Sequence, residues 1–441
     1  MGPPLYRLLI PLGRVLVWIF FRKVEVRGRE HVPRDGPILV AANHPNMLMD
    51  ALLLGTTQPR PLSFLAKATL FSSPLLGRFL AAGGVLPIYR RSDNPEETGK
   101  NELTFGACYE LLEKGGALAI FPEGVSHERQ AVLPLKTGCA RITLEAEERN
   151  DFRLGVKVVP VGLYFSAPSI FRSDVLVVFG PVLDPKDYFD RYRSEPQNAV
   201  RDLTGDLERR LRELTLHVPQ SEEEPLLSAL RQMFPAGNDV SSRLEVDQEL
   251  VKAVKYFSVH DPAHYRRVRE DVLRYVRLLD AFGLEHSQVK RRYRIGPVLR
   301  YMGPRVVLGG VGLPVFLYGA INNFLPYRTP GWLCRLVTKH PVEIATVKFV
   351  AGLLSFPLFY ALQTWAVSHW AGLGPAIIYL VSLPATGLLA LGYQEKMSGF
   401  FDEVRLFFVQ LLRRDEINRL EERREAITRK LELYRQEFGR H

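Results

Sequence analysis

Residues 37–50 read Pro-Ile-Leu-Val-Ala-Ala-Asn-His-Pro-Asn-Met-Leu-Met-Asp. The stretch opens with a short apolar run, typical of a buried β-strand, and a turn and a helical pattern follow it. Such runs alternate with helical patterns from about Val24 to Leu216. They cover residues 37–42, 63–66, 85–89, 117–121, 156–165 and 175–179. This alternation predicts an α/β domain with a mixed central sheet and flanking helices.

His44 and Asp50 lie where this strand gives way to a helix. Open α/β sheets place ligands in the crevice outside the strand ends. If His44 is a turn residue and Asp50 faces back, the carboxylate accepts the Nδ1 proton and leaves Nε2 free as a base. The alternative interpretation is a polar loop histidine beside a solvated helical aspartate.

A second motif, Phe121-Pro122-Glu123-Gly124, ends the apolar run at residues 117–121. Gly124 lets the backbone turn and approach a ligand closely. Its N–H groups, with Arg90 and Lys136, would form an anion pocket. Lys136 also stands at the start of the next predicted helix, where N–H groups favour anions. Taken alone, each feature is equally typical of a β-turn with solvated side chains.

The chain of 441 residues carries a formal net charge of +10. Such a surplus suits nucleic acid, anionic lipid or a phosphorylated substrate. Nucleic acid is disfavoured because the sequence has neither zinc-finger spacing nor an aromatic RNA-binding motif. The three cysteines, Cys108, Cys139 and Cys334, are never paired as Cys-x-x-Cys. They predict neither a disulfide framework nor a metal site, and they fit a reducing compartment.

Part of the chain is predicted to lie in lipid. No Asp, Glu, Lys or Arg occurs between Phe349 and Tyr393. That stretch is long enough for two helices of about 20 residues, the length that crosses a bilayer. A further apolar segment precedes it at roughly 306–326, and the later two are 349–368 and 371–393.

Charge predicts the topology of these segments. Basic residues precede the first segment, among them Lys290, Arg291, Arg292 and Arg294, and others lie between the first and the second. The positive-inside tendency therefore places both flanks in the cytoplasm, so that the first segment is re-entrant and the other two form a hairpin. Three full crossings are the competing interpretation.

Four blocks of this sequence occur in the order of a known family. They are Asn43-His44 with Asp50, residues 84–90, the motif at 121–124, and Val158-Val159-Pro160-Val161-Gly162. Over roughly Val24 to Asp184 the chain resembles the glycerophosphate and lysophospholipid acyltransferases. The resemblance implies that His44 is the general base, that Asp50 orients it, and that Arg90 and the Glu123-Gly124 turn bind the acceptor phosphate. The predicted acceptor-binding set also includes Lys136, Asn43 and His127.

One departure from the family concerns spacing. Most members have four residues between histidine and aspartate, whereas this chain has five, Pro45 to Met49. An added residue turns a helical side chain by about 100°. The pair therefore forms only if the helix begins after His44.

The longer spacing resembles the fungal branch that acylates glycerol 3-phosphate and dihydroxyacetone phosphate. That branch also has hydrophobic segments after the catalytic domain, and it is similar to this chain in Ser126-His127-Glu128 followed by Leu133-Pro134-Leu135-Lys136. The resemblance implies the first acylation of the glycerol backbone in phospholipid biosynthesis, with lysophosphatidate as the alternative acceptor. The donor is expected to be acyl-CoA or acyl-carrier protein, with no cofactor and no metal.

Five segments are expected. They are a membrane-interface helix at 1–23, the acyltransferase domain at 24–216, a helical region at 217–300, membrane-embedded helices at 301–395 and an amphipathic C-terminal helix at 396–441. The chain is thus predicted to be an integral membrane protein. Its catalytic domain would lie on the cytoplasmic face of the cytoplasmic membrane, or of the endoplasmic reticulum in a eukaryote.

Three other function classes remain open from the residues. A serine hydrolase would need a Gly-x-Ser-x-Gly elbow, and Gly124-Val125-Ser126-His127-Glu128 lacks the closing glycine. A metal enzyme could use His44, Asp50, Glu123 and His127, whose side-chain types suit zinc. The third is a non-catalytic module that binds lipid in the membrane.

Overall fold

A computed structural model describes residues 4–438, apart from 91–94, 128, 169, 220, 235–236, 238, 290–294 and 339. The chain forms two compact units. The first, unit 1, comprises Met1–Ser221, Ala236–Gln248 and His340–Thr346. The second, unit 2, comprises Glu222–Pro235, Glu249–Lys339 and Val347–His441.

Unit 1 is built on a seven-stranded sheet with the order β1-β7-β6-β2-β5-β3-β4. Neighbouring strands are parallel except β6 and β7, so the sheet is mixed, as predicted. The strands are β1 (Lys23–Arg27), β2 (Ile38–Ala42), β3 (Ser63–Lys67), β4 (Val85–Ile88), β5 (Ala117–Ile120), β6 (Lys157–Phe165) and β7 (Asp174–Phe179). Strands β2, β5 and β6 are almost wholly buried, which explains why their sequences are continuous apolar runs.

Helices cover both faces of this sheet. They are α1 (Pro4–Phe20), α2 (Leu48–Thr57), α3 (Pro74–Ala82), α4 (Asn101–Glu113), α5 (Gly138–Glu148), α6 (Phe189–Ser194) and α7 (Pro196–Leu214). Residues of α4, α5 and α7 share one buried apolar cluster with β2, β5 and β6. The connections from β2 to β3 and from β3 to β4 advance the same way along the sheet, whereas the connection from β4 to β5 returns. Because such crossovers are right-handed, α2 and α3 lie on the face opposite α4.

Helix α1 packs on α2. The Tyr6 hydroxyl donates a hydrogen bond of 3.0 Å to the Gly55 carbonyl, and Val17 and Phe20 are buried. Three large apolar side chains on α1 are nevertheless exposed: Leu12 (49%), Val15 (51%) and Trp18 (59%). Helix α1 thus packs on the domain with one side and exposes a second apolar side to its surroundings. Its position at a membrane interface stays a prediction.

The start of the next long helix belongs to unit 1. Helices α8 (Glu224–Met233) and α9 (Val240–His260) follow α7, and residues 236–248 cluster with the sheet rather than with the rest of α9. The Tyr164 hydroxyl donates a hydrogen bond of 2.7 Å to Asp247. Asp174 on β7 binds both Arg22 and Arg243, and these guanidinium groups hold the pKa of its carboxyl below the usual value. The segment 217–300 is therefore divided between the two units.

Unit 2 contains the remainder of α9 with α10 (Pro262–Phe282) and α14 (Arg414–Phe438). Arg424 on α14 donates a hydrogen bond of 3.1 Å to Nε2 of the buried His286, whose Nδ1 lies 3.2 Å from the Tyr275 hydroxyl on α10. Burial and the neighbouring Arg424 lower the pKa of His286 to about 4. The imidazole is therefore neutral at physiological pH and joins the two helices.

Unit 2 also holds long apolar helices: α11 (Ile295–Val337), most of α12 (Pro341–Ala371) and α13 (Leu373–Leu412). Among the described residues, Val342–Ala371 and Leu373–Ser398 are long and apolar enough to span a membrane. Only 11% and 17% of their apolar windows are buried. Core helices of a soluble protein would be mostly buried, so this exposure favours lipid as their surroundings.

Helix α11 is continuous through Gly309, Gly310 and Pro314. The helix is therefore not broken at these residues, because a break would leave backbone groups unpaired in an apolar environment. The re-entrant path and the three crossings both stay predictions, since among the described residues the helices long and apolar enough to span a membrane are Val342–Ala371 and Leu373–Ser398. Asn322 and Asn323 accept hydrogen bonds of 2.6 Å from tyrosines on α13 and α12 rather than breaking the helix. The predicted basic cluster at 290–294 lies outside the described residues.

Candidate active site

His44 and Asp50 are in direct contact at the end of β2. The His44 Nδ1 lies 2.8 Å from Asp50 Oδ2. The imidazole stacks on Phe121, which follows β5, with ring centroids 3.9 Å apart and an angle of 11° between the planes. Among the described residues no group hydrogen-bonds His44 Nε2, and 12% of the side chain is exposed. The geometry therefore leaves Nε2 available to a ligand.

The added residue between histidine and aspartate is absorbed in the turn. Helix α2 begins at Leu48, and Met47 before it has φ 45° and ψ −116°, a strained conformation for a residue with a side chain. Asp50 is thus in the first helical turn, where its Oδ2 also accepts a hydrogen bond of 2.7 Å from the Asn46 N–H. The condition set by the spacing, a helix that begins after His44, is met.

Asp50 is fully buried, with 0% of its surface exposed. Burial raises the pKa of its carboxyl, and the hydrogen bonds from His44 and Asn46 oppose that rise. Its Oδ1 has no hydrogen-bond partner among the described residues. The hydrogen bonds to this carboxylate are therefore concentrated on Oδ2, the oxygen that faces the imidazole and orients it.

Glu123 is hydrogen-bonded to three residues around the site. Its Oε1 accepts a hydrogen bond of 3.0 Å from the His44 N–H, and its Oε2 accepts one of 3.1 Å from the Leu133 N–H. The same Oε2 is hydrogen-bonded to His127 Nε2. Glu123 is only 2% exposed. Glu123 and His127 thus bind each other, and the carboxylate fixes the backbone at His44, while their predicted contact with the acceptor stays a prediction.

Asn43 is bound to the backbone of strand β6. Its Nδ2 donates a hydrogen bond of 2.9 Å to the Leu163 carbonyl, and its Oδ1 accepts one of 2.7 Å from the Leu163 N–H. The residue is 7% exposed. Both ends of the amide are therefore engaged with β6 and hold the turn before His44, while the predicted acceptor contact of Asn43 stays a prediction.

The Lys136 side chain lies against Gly124, the last residue of the second motif. Gly124 has φ 71°, and its N–H donates a hydrogen bond of 3.0 Å to the Phe121 carbonyl. The Lys136 N–H donates one of 2.8 Å to the Pro122 carbonyl. A Cβ placed on Gly124 would lie 2.6 Å from Lys136 Nζ. The exposed lysine thus lies across the glycine, two residues before α5 begins at Gly138.

Gly124→Ala tests this arrangement. We expect unfolding to become easier by about 1–2 kcal/mol, the cost of a left-handed conformation for a residue with a Cβ. The methyl group also displaces the Lys136 amine, so KM for a phosphorylated acceptor should rise. Urea unfolding and acceptor titration measure the two effects. Gly205→Ala in α7 is the matched control, because nothing lies within 4 Å of its added methyl group, and it should not weaken the fold.

Topology adds two further cations to the same edge. Strands β2, β5, β3 and β4 are mutually parallel in that order, so their carboxyl ends meet at one edge of the sheet. Arg90 follows β4 and is half-buried, and Lys67 ends β3. Lys67 was missed from sequence, where the strand was predicted to end at residue 66. The available signal was a lysine immediately after an apolar run.

The alternative chemistries find less support in this geometry. In the part of the chain that the structure describes, no hydrogen bond joins Ser126 to His44, whose Nδ1 is bonded to Asp50 instead. No group of three or more His, Cys, Asp or Glu side chains among the described residues is arranged to hold a metal ion. Burial raises the pKa of the thiols of Cys108 and Cys139 to about 12, so neither is a nucleophile at neutral pH. Glu128 lies outside the described residues.

The described part of unit 1 is thus a mixed α/β domain with a histidine–aspartate pair, Lys67 and Arg90 at the carboxyl edge of its sheet. Residues 23–164 match the family model described as Acyltransferase, so this part of the chain is a domain of that family. The family expected from the four sequence blocks is therefore confirmed for this domain.

Three curated relatives extend the comparison. An uncharacterized acyltransferase of Schizosaccharomyces pombe is 24% identical over 63% of this chain and 54% of its own length. Glycerol-3-phosphate O-acyltransferase 2 of Saccharomyces cerevisiae is 24% identical over 65% of this chain and 52% of its own. A 1-acyl-sn-glycerol-3-phosphate acyltransferase of Borreliella burgdorferi is 24% identical over 43% of this chain and 73% of its own. The chain thus spans about half the length of the first two relatives.

Proposed function

We propose that this chain is a membrane-bound O-acyltransferase that moves a fatty acyl group from a thioester donor to the hydroxyl of glycerol 3-phosphate or dihydroxyacetone phosphate. One observation carries the proposal. The His44–Asp50 pair, joined at 2.8 Å, stands at the same sheet edge as the cations Lys67 and Arg90. A base and an anion pocket at one edge suit a substrate that has both a hydroxyl and a phosphate.

The reaction needs no covalent enzyme intermediate. His44 Nε2 takes the proton of the acceptor hydroxyl, and the hydroxyl oxygen attacks the thioester carbonyl carbon. The carbon–sulfur bond of the tetrahedral adduct then breaks, and the departing thiolate accepts that proton from His44. Asp50 stabilises the imidazolium that forms between these two steps. The products are the acyl ester and a free thiol.

The acceptor assignment rests on the substrates for which the relatives are named, together with the site. The Saccharomyces cerevisiae relative is named for glycerol 3-phosphate and the Borreliella burgdorferi relative for its 1-acyl derivative. The five-residue spacing and the apolar helices after the domain favour the unacylated acceptor. The lysophosphatidate acceptor is the second candidate, because it offers the same phosphate to Arg90, Lys67 and Lys136.

The finer partners and place of action belong to the same proposal. Acyl-CoA or acyl-carrier protein would supply the acyl group, and both deliver it as a thioester. The helices Val342–Ala371 and Leu373–Ser398 would anchor the protein in the membrane. The acyltransferase domain would lie on the cytoplasmic face, which the basic residues around the first apolar segment favour.

A panel of acceptors tests the proposal. The purified full chain is given a long-chain acyl-CoA with glycerol 3-phosphate, dihydroxyacetone phosphate, lysophosphatidate or glycerol, and free thiol is measured. We expect turnover with the phosphorylated acceptors and none with glycerol. Arg90→Ala should raise KM for the phosphorylated acceptor by about 10- to 100-fold, since a hydrogen bond to a charged group contributes about 1.5–3 kcal/mol.

The control for Arg90→Ala is Arg201→Ala, which removes an exposed arginine from α7 and should leave KM unchanged. Turnover with lysophosphatidate alone would move the assignment to the second acylation. The panel is repeated with acyl-carrier protein as the donor. Absence of thiol release with every acceptor and either donor would instead favour the non-catalytic module.

A further inference from the structure

Helix α3 turns its large apolar side chains outward. Leu75 is 86% exposed, Phe79 is 48% exposed and Leu76 is 42% exposed, and Leu70 in the preceding turn is 43% exposed. The inward residue is Gly77, which is buried, and a Cβ placed on it would lie 2.9 Å from the Phe71 carbonyl oxygen. The helix thus packs inward through Gly77 and exposes its large apolar side chains. An amphipathic helix on a soluble domain buries such side chains instead. We call Leu70, Leu75, Leu76 and Phe79 the α3 surface.

The charged residues in the part of the sequence that contains α3 are all basic. Between Asp50 and Asp93 the sequence contains no acidic residue. Five basic residues occur in the same interval: Arg60, Lys67, Arg78, Arg90 and Arg91. Arg78 is an exposed residue of α3 itself. A segment with exposed apolar side chains, basic residues and no acidic ones has the pattern of segments that lie in the interface of a membrane with anionic lipid.

The α3 surface lies on the same face of the sheet as α1. Helices α2 and α3 share that face because both crossovers advance in one direction, and α1 packs on α2. The exposed apolar residues of α1, Leu12, Val15 and Trp18, therefore stand on the side of unit 1 that carries α3. A flat lipid surface is a partner that contacts both helices at once.

The α3 surface also adjoins the candidate site. The turn Ala68–Phe71 that contains Leu70 follows directly after Lys67, at the carboxyl end of β3. The carboxyl ends of β3, β5 and β2 lie at one edge, where His44 stands. A membrane on the α3 surface would therefore meet the edge at which an acyl chain has to arrive.

We propose that the α3 surface is a membrane-docking site of unit 1. Leu75, Leu76 and Phe79 enter the boundary between headgroups and acyl chains, while the exposed Arg78 on the same helix binds anionic headgroups. The inference is independent of the proposed chemistry, because lipid contact is measured without turnover.

Site-directed spin labelling tests this docking on the full chain in vesicles. Cys108, Cys139 and Cys334 are all buried, so a cysteine introduced at an exposed position reacts selectively. Leu75→Cys places the label on the α3 surface. Glu110→Cys is the control, since Glu110 is exposed on α4, on the opposite face of the sheet. Vesicles contain equal parts of phosphatidylcholine and phosphatidylglycerol, or phosphatidylcholine alone.

We expect the label at position 75 in the mixed vesicles to collide more with oxygen than with a water-soluble nickel complex, and the label at position 110 to show the reverse. The difference at position 75 should shrink in vesicles of phosphatidylcholine alone. Aqueous behaviour at position 75 in both lipids would overturn the proposal. Dipolar broadening between labels at position 75 would also overturn it, because a second copy of the chain would then cover the surface.

Discussion

His44→Ala is expected to lower kcat for acyl transfer by about 10²- to 10⁴-fold, the range that a positioned general base contributes. The structure gives the reason. Nδ1 is bonded to Asp50 and Nε2 has no partner among the described residues, so the imidazole is oriented with its basic nitrogen toward the site. Because the proposed phosphate contacts come from other residues, KM for the acceptor should change little.

Steady-state kinetics with a saturating acyl donor measures the effect of His44→Ala, and thermal unfolding shows whether loss of the stack on Phe121 has weakened the fold. His260→Ala is the matched control, since His260 is an exposed residue of α9 whose Nδ1 contacts only a backbone carbonyl. An alanine variant at position 44 with kcat close to that of the unchanged chain would remove the histidine from the reaction. A fall in kcat in both variants would indicate a general loss of stability.

Asp50→Asn is expected to lower kcat over a similar range, about 10²- to 10⁴-fold, because the charge that stabilises the imidazolium is lost. The amide has two orientations and neither restores function. If its NH2 faces Nδ1, the imidazole proton moves to Nε2 and the base is blocked. If its oxygen faces Nδ1, the NH2 replaces Oδ1, which has no partner among the described residues.

Each orientation also leaves a buried donor unpaired, at a cost of about 1–3 kcal/mol: the NH2 itself in the second, and in the first the Asn46 N–H, whose hydrogen bond Asp50 Oδ2 accepts in the unchanged chain. Urea unfolding should therefore show a loss of stability of about that size in Asp50→Asn. Asp190→Asn is the control, because the Asp190 side chain is fully exposed. Activity in Asp50→Asn equal to that of the control would show that the carboxylate does not act through His44.

Much of the α/β domain could be predicted because its strands are buried. Strands such as β2 and β6 are continuous apolar runs, and their ends were located to within one or two residues. Strand β1 was missed since its sequence, Lys-Val-Glu-Val-Arg, alternates charged and apolar residues at the edge of the sheet. Local pattern is informative where a segment is covered on both faces and less so at an edge.

The structure brings His44, Asp50, Glu123 and His127 together, while their roles stay predictions. A sequence does not distinguish a polar side chain that faces a ligand from one that faces the backbone. Asn43 binds Leu163, which is 120 positions away in the chain, and Glu123 binds His44, which is 79 positions away. Lys67 becomes part of the edge only through the pairing of β3 with β5. Long-range pairings of this kind decide function and leave no local signal.

The bend at Met47 has a consequence for how such chains diverge. The surplus residue is accommodated by one backbone torsion ahead of α2, and the imidazole and carboxylate still meet. Deleting a residue there would shorten the turn without rotating α2, the helix that carries Asp50. The number of residues between two reactive side chains therefore does not predict the distance between them in the fold. Insertions in the turn before α2 would be tolerated wherever the backbone can accommodate them.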